Sequence, residues 1–224
     1  MVQNHMKRLA APKAWVVMRK ERTFITRPKP GRAFDLAMPL NQIMKLLVQK
    51  GNTTKEVRYI LHHEEVLVNS KRVYDHRLPV GFMDVISFPG VNEHFVMSLS
   101  RKGKLTAVAV DKKFATQRII KVRNKTRLAG KFQINAYDGT NILADKADYK
   151  VADSLVIKEG KVAKHLPLTK GAHIILTGGS HTGMIGTVQE VDGTTVVFES
   201  NNKSYSTARR HAFVVDETTK EVIQ

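Results

Sequence analysis

The chain has 224 residues, no cysteine and a net charge of +17, and 42% of its residues are hydrophobic while 7% are aromatic. Without cysteine it can form no disulfide, no thiolate metal site and no cysteine nucleophile, which fits a reducing compartment. The low aromatic content favours two or three small cores, and the absence of a secretory leader and of any apolar run of about 18 residues favours a soluble, non-secreted protein.

The positive charge lies in two blocks. Residues 1–35 hold nine Lys/Arg against two Asp/Glu, and residues 100–135 hold eleven against one. Like charges this concentrated repel each other in the free protein, so they predict a polyanionic partner that neutralises them. Nucleic acid is the commonest such partner.

The first 34 residues predict an extended basic arm. Pro12, Pro28 and Pro30 interrupt them, and they show neither helical nor strand periodicity. An arm of this kind can pair with phosphates and stack an aromatic ring on an unstacked base, although a disordered basic tail is the alternative. The candidate RNA-binding residues of the arm are Lys7, Arg8, Lys13 and Trp15, the only Trp of the chain.

Two helices and a hairpin are predicted next. Between residues 38 and 51 the apolar residues share one helical face, with Pro39 at the start and Gly51 at the end. Thr53 and Glu56 have the spacing of a capping box and predict the start of a second helix. After it, residues 66–73 predict a hairpin that turns at Asn69-Ser70, and residues 84–88 predict another strand.

From about residue 95 the pattern predicts only strands. They are expected at residues 95–99, 104–110, 117–122, 132–137 and 155–157, and turn dipeptides such as Asp138-Gly139 and Asp192-Gly193 separate successive strands. Short strands this closely spaced favour small barrels or sandwiches over a parallel sheet.

Two groups of cations are candidate phosphate ligands. The first lies on the second helix and the hairpin, and consists of Lys55, Arg58, Lys71 and Arg72. Such side chains match phosphate in charge and geometry, but a solvated surface is an equally good interpretation of the charge alone. The order of elements in this region resembles the small RNA-binding domain that the fourth small-subunit ribosomal protein shares with tyrosyl-tRNA synthetases and pseudouridine synthases.

The second group lies in the central block and consists of Arg118, Lys121, Arg123, Lys125, Arg127 and Lys131. If the strand that begins near residue 117 continues to residue 125, the side chains at 121, 123 and 125 share one face, because strand side chains alternate. We therefore expect these three to bind phosphate together.

Residues 173–188 predict a strand, a glycine-punctuated loop and a second strand. Gly179, Gly183 and Gly186 let the backbone turn sharply and approach RNA or protein closely, and His181 is a candidate RNA contact. A nucleotide-binding loop is excluded because a strand, not a Lys-Ser/Thr pair and a helix, follows the last glycine. The spacing resembles the KOW motif of ribosomal proteins and transcription elongation factors, and an ordinary Gly-rich hairpin is the alternative.

The whole chain resembles the S4e family of ribosomal proteins from archaea and eukaryotes. Residues 5–15, 78–86 and 121–126 and the His165-Leu166-Pro167-Leu168 link carry the resemblance, in family order. The chain departs from the family at Asn69-Ser70, where a glycine turn is frequent, and at Val16, where a proline often follows the tryptophan. Its length resembles that of archaeal members.

No set of residues has the spacing that catalysis or metal binding requires. Residues 62–65, His-His-Glu-Glu, cannot chelate one ion together, because adjacent helix positions point about 100° apart. Ser180 and His181 are loop neighbours with no orienting acid. A pseudouridine synthase is disfavoured because the region after residue 98 shows neither an Arg-Leu-Asp motif nor helices.

The sequence thus predicts an α+β, mostly β protein. A basic arm (1–37) precedes a small RNA-binding domain (38–98), a central β domain (99–167) and an SH3-like KOW barrel (168–224). The expected function is that of a structural constituent of the small ribosomal subunit in the cytoplasm, with ribosomal RNA and neighbouring ribosomal proteins as partners and no cofactor, metal, membrane or small-molecule substrate. The alternative is a KOW-bearing transcription or translation factor, or an accessory of RNA modification.

Overall fold

The structure is a computed structural model, and it describes residues 5–128, 130–144, 148–158 and 160–223. The chain packs as two compact units. Unit 1 comprises the residues up to Leu99 and Lys104–Thr116, and unit 2 comprises Ser100–Gly103 and the residues from Gln117 onward. The finer division at residues 37, 98 and 167 stays a prediction.

Unit 1 contains nine strands and three α-helices in the described residues. In chain order they are β1 (Met6–Lys7), β2 (Phe24–Ile25), β3 (Ala37–Pro39), α1 (Leu40–Leu46), α2 (Thr54–His63), β4 (Leu67–Val68), β5 (Lys71–Arg72), β6 (Pro79–Gly81), β7 (Val85–Phe88), β8 (Glu93–Leu99), β9 (Leu105–Ala109) and α3 (Lys112–Ala115). An antiparallel sheet has the order β5-β4-β7-β8-β9, and two smaller sheets pair β1 with β2 and β3 with β6.

The predicted capping box and hairpin of unit 1 are both confirmed. Thr53 caps α2 by accepting from the Glu56 amide, while the Glu56 side chain returns to the backbone of Thr53. Asn69 and Ser70 both adopt positive φ and join β4 to β5. Asn69 tolerates the positive φ that a glycine would otherwise adopt in this turn. Its side chain donates to Asp84 and accepts from the Val85 amide, which holds the turn against β7.

The sequence predicted an arm that is extended and unpacked, but the arm packs into the core of unit 1. Trp15 is 1% exposed within the hydrophobic core of unit 1, which also contains Ile25, and its Nε1 donates to the carbonyl oxygens of Ala37 (2.8 Å) and Phe34 (3.2 Å). The prediction failed because it took a periodic apolar stripe as the only sign that a segment is buried. An irregular segment can instead bury a few large side chains while its backbone polar groups bond to a neighbouring element, as the Ala14 carbonyl does to the Leu105 amide.

Unit 2 contains ten further strands and one α-helix in the described residues. They are β10 (Gln117–Leu128), β11 (Lys131–Ala136), β12 (Asn141–Ala144), β13 (Ser154–Lys158), β14 (Lys161–Leu166), β15 (His173–Leu176), β16 (Ile185–Asp192), β17 (Thr195–Ser200), β18 (Lys203–Ala208), β19 (Ala212–Val215) and α4 (Glu217–Ile223). They form two antiparallel five-stranded sheets, with the orders β12-β11-β10-β13-β14 and β18-β17-β16-β15-β19.

The region after residue 98 is mostly β, as predicted, but it is not free of helices. The short helix α3 follows Asp111, and α4 begins after Asp216, whose carboxylate accepts from the Glu217 amide. Strand periodicity in the surrounding sequence concealed both helices, although an Asp before the first turn is a helix-start signal. No helix in the described part of the chain is long and apolar enough to cross a membrane.

Candidate nucleic-acid interface

Helix α2 and the hairpin present one exposed surface that mixes cations with aromatic rings. We call it the α2 face: Arg58 and His62 from the helix, with Arg72, Tyr74 and His76 from the hairpin and the segment after it. Arg58 and His62 are four residues apart and therefore lie on the same side of α2. The predicted residues Lys55 and Lys71 are exposed on the same elements.

Short contacts hold the α2 face together. The Arg72 guanidinium carbon lies 4.9 Å from the centre of the Tyr74 ring, and the His62 ring centre lies 6.0 Å from that ring. The Arg58 guanidinium donates to His76 Nε2 at 3.3 Å, because arginine has no acceptor. Burial, and then the charge of Arg58, hold the pKa of His76 below its usual value. A neutral imidazole can accept this bond at Nε2 and so orient the guanidinium.

The α2 face can bind both parts of a nucleotide. Its guanidinium groups match phosphate oxygens, and the ring of Tyr74, whose residue is 51% exposed, offers a surface on which a base can stack. The cations of this face were predicted from the sequence, whereas its aromatic and imidazole residues were not. Those residues carried a signal, because His62 lies one turn after Arg58 and Tyr74 lies two residues after Arg72.

In the arm, two of the four predicted RNA contacts are buried. Lys7 and Lys13 are exposed. Arg8 is 8% exposed; its guanidinium bonds to the Met18 carbonyl and lies 2.9 Å from the Glu21 carboxylate. Trp15 is enclosed in the core, so the expectation that its indole stacks on a base is wrong.

The central cations do not share one face. Their alternation breaks at a β-bulge, since the register of β10 against β11 shifts between Val122 and Asn124. Arg123, Arg127 and Lys131 are exposed, whereas Lys121 is buried. Two of the cations point to other protein groups: Arg118 bonds to Asp138 and Thr140, and Lys125 donates to the Tyr149 carbonyl.

Lys121 has a structural role in place of the predicted one. Its Nζ donates to the backbone carbonyls of Arg209, Arg210 and Ala212, which connects β10 to the start of β19 and to the residues just before it. Burial, and then the nearby charge of Arg209, lower the pKa of Lys121 from 10.5 to about 8. The expectation that Lys121 binds phosphate together with residues 123 and 125 is therefore wrong.

The glycine loop of unit 2 joins β15 to β16. Gly179 and Gly183 have φ of +87° and +82°, which confirms the predicted sharp turn at Gly183. A Cβ at Gly183 would lie 2.0 Å from the Ser100 carbonyl oxygen. Gly186 lies in β16 and not in the loop as predicted, and a Cβ there would lie 2.5 Å from the Glu199 carbonyl oxygen. His181 is half-buried, with its ring centre 4.7 Å from that of Tyr205.

No group of three or more His, Cys, Asp or Glu residues that could hold a metal ion occurs in the described residues. His63, in the sequence pair His62-His63, stacks on Tyr59 with ring centres 3.9 Å apart, and its Nδ1 lies 2.9 Å from the Tyr59 carbonyl oxygen. These contacts give the imidazole of His63 a structural role at the end of α2.

Comparison with known proteins supports a single family over the full chain. The profile of ribosomal family S4e matches residues 91–161, and that of the RS4NT domain matches residues 2–31. Small ribosomal subunit protein eS4 of Methanocella arvoryzae is 34% identical over 232 residues, which cover 99% of this chain and 98% of that protein. The same protein of Methanosphaera stadtmanae is 34% identical over 95% of this chain and 92% of its own.

A solved structure has the same fold. The crystal structure of the 30S ribosomal protein S4e from Thermoplasma acidophilum matches with a TM-score of 0.69 and 25% identity, over 82% of this chain and 96% of that one.

Proposed function

Because the chain belongs to ribosomal family S4e, we propose that it binds ribosomal RNA through the α2 face and the exposed cations of β10 and β11. It is a structural constituent of the small ribosomal subunit in the cytoplasm, not an enzyme. The near full-length identity to small-subunit proteins is the observation that carries this function. This identity does not favour the alternative functions, a transcription or translation factor or an accessory of RNA modification, because the similarity extends over both units.

The charge distribution supports ribosomal RNA as the ligand. The chain has a net charge of +17, so its like-charged side chains repel one another in the free protein. The phosphates of RNA neutralise this charge when the chain is bound in the small subunit. Phosphate contacts position such a protein, and preformed surfaces that fit folded RNA supply its specificity. Neighbouring ribosomal proteins are the second class of partner.

We further infer that residues 168–224 form a KOW-containing SH3-like barrel. Five short antiparallel strands, the loop with positive φ at Gly179 and Gly183, and the close approach of Gly186 to Glu199 support this arrangement. The half-buried ring of His181 against Tyr205 leaves the loop backbone, more than the imidazole, as the group that meets a partner.

A salt titration of RNA binding tests the proposed interface. The double variant Arg58→Gln/Arg72→Gln removes two exposed cations of the α2 face. The control is Lys50→Gln/Lys164→Gln, which removes equal charge from lysines already paired with Glu93 and Asp216. Binding of each variant to purified small-subunit RNA is measured as a function of salt concentration.

The α2 face variant should flatten the logarithmic salt dependence by roughly 0.7–0.9 per lost phosphate contact, and the control should leave it nearly unchanged. Equal slopes for the two variants would show that only net charge matters and would refute the interface. Circular dichroism melts verify that both variants fold.

A further inference from the structure

An open cavity of about 690 Å³ lies in unit 2. It is lined by β10, the Tyr137 turn, the segment before β13, the turn between β16 and β17, and residues 208–210. This volume is within the range of pockets that bind small ligands.

The residues that line the cavity include cations but no counter-charge. Arg123, Arg209 and Arg210 line it, no Asp or Glu is among the described residues that line it, and the surface they present to the cavity is mostly apolar. The Lys121 ammonium at its base is occupied by backbone carbonyls, so it does not need a ligand. Three arginines beside one cavity, with no acid among the residues that line it, favour an anion.

Arg209 provides a more specific observation. Its Nη2 donates to the Val151 carbonyl at 2.7 Å, which fixes the guanidinium plane at the cavity wall. A guanidinium held in place in this way is preorganised for an anion, because less side-chain freedom is lost when the ligand binds.

The remaining lining favours a flat, partly apolar ligand over a bare phosphate. Tyr137 is 48% exposed and Val151 is 46% exposed, and both line the cavity. Aromatic and aliphatic surface beside guanidinium groups is the combination that binds an unstacked base together with its phosphate.

We propose that this cavity binds one unpaired nucleotide of RNA, with the phosphate on the guanidinium groups of Arg209 and Arg210 and the base against Tyr137. This inference rests on the proposed function, because it identifies part of the RNA that the chain binds. It adds a single-nucleotide site, distinct from the phosphate-positioning contacts of the α2 face.

Amide chemical shifts of the full chain, titrated with small probes, test the site. Adenosine and uridine 5′-monophosphate should cause saturable shifts of the amides of Val151, Ala152 and Thr194. Ribose 5-phosphate, which lacks the base, should bind at least about tenfold more weakly, as expected for the loss of one stacked base. Inorganic phosphate should bind more weakly still.

Variants assign the effect to the cavity. Arg210→Gln and Tyr137→Leu should each weaken nucleotide binding at least about fivefold, in keeping with the loss of one charged or stacking contact. Both residues are exposed, so these variants preserve the fold, whereas Arg209→Gln also removes the bond to Val151. Lys203→Gln, which removes an exposed charge from β18 outside the lining, should change nothing.

Failure of the site is distinguishable from failure of the proposed function. If the chain binds small-subunit RNA but no probe shifts the cavity amides, the cavity proposal is wrong and the proposed function stands. Equal affinity for ribose 5-phosphate and the nucleotides would also overturn it, as would stronger shifts with an acidic peptide, which would identify a protein partner. If the chain does not bind small-subunit RNA, the proposed function itself is wrong.

Discussion

Replacing Gly183 by alanine should be far more destabilising than its place in a surface loop implies. Gly183 lies between β15 and β16 with φ of +82°, and its amide donates to the Leu176 carbonyl at 2.7 Å. An added Cβ would meet the Ser100 carbonyl oxygen at 2.0 Å and its carbon at 2.8 Å. The Ser100 oxygen is itself held by the Gly103 amide at 2.8 Å, so it cannot simply turn away.

The cost has two sources. The left-handed conformation costs a residue with a Cβ roughly 1–2 kcal/mol. Inserting a methyl group where backbone must shift adds roughly 1–3 kcal/mol. Gly183→Ala should therefore lower the free energy of unfolding by about 2–5 kcal/mol, a large part of the roughly 5–15 kcal/mol that stabilises a typical domain.

Gly179→Ala is the matched control. Gly179 has nearly the same φ, +87°, but the nearest atom to its added Cβ is His211 Cδ2 at 3.9 Å. Its cost should be that of the backbone conformation alone, roughly 1–2 kcal/mol. Urea denaturation gives the two free energies, and amide exchange of the β15–β19 strands assigns the loss to this sheet. Equal losses for the two variants would refute the role of the Ser100 contact.

Three further predictions concern buried and exposed residues that the sequence did not distinguish. Trp15→Ala should lower the free energy of unfolding by about 3–5 kcal/mol in denaturant melts. In the wild type without RNA, the fluorescence of the indole should be poorly quenched by acrylamide, and quenching as fast as that of free tryptophan would contradict its burial. The Lys121 ammonium should titrate near pH 8 by side-chain NMR. The folded pKa of Lys121 lies below its unfolded value of 10.5, so the unfolded chain binds more protons between these two pH values. As pH rises through this window, the free energy of unfolding of the wild type should therefore increase by up to about 3 kcal/mol relative to that of Lys121→Met. A difference that stays constant with pH would show that the ammonium is not buried. Arg123→Gln should flatten the salt dependence of RNA binding by roughly 0.7–0.9, whereas Lys121→Gln should leave it unchanged, and the reverse result would restore the alternating-face interpretation.

Local signals in the sequence were sufficient for the elements of unit 1 that depend on neighbouring residues. Thr53 and Glu56 determine the start of α2 through a capping box, and Asn69-Ser70 forms the predicted turn because Asn tolerates positive φ. The positive φ of Gly183 was also predictable, because a short loop between two strands must turn sharply.

Contacts between distant residues were not predictable in the same way. The burial of Trp15 depends on the carbonyls of residues 34 and 37, and the burial of Lys121 depends on carbonyls about 90 positions later in the chain. The bulge after Val122 changes which cations face outward, and nothing in the alternation of charges marks it. The family resemblance identified the function, while the geometry decides which cations are exposed.

Association with the small ribosomal subunit tests the central claim most directly. A tagged full chain is expressed in an archaeal host, and its sedimentation is followed through a sucrose gradient before and after a moderate-salt wash. A structural constituent should sediment with small subunits only and stay with them after the wash. Sedimentation as free protein, or release from the subunit in moderate salt, would contradict the account and indicate a reversibly bound factor.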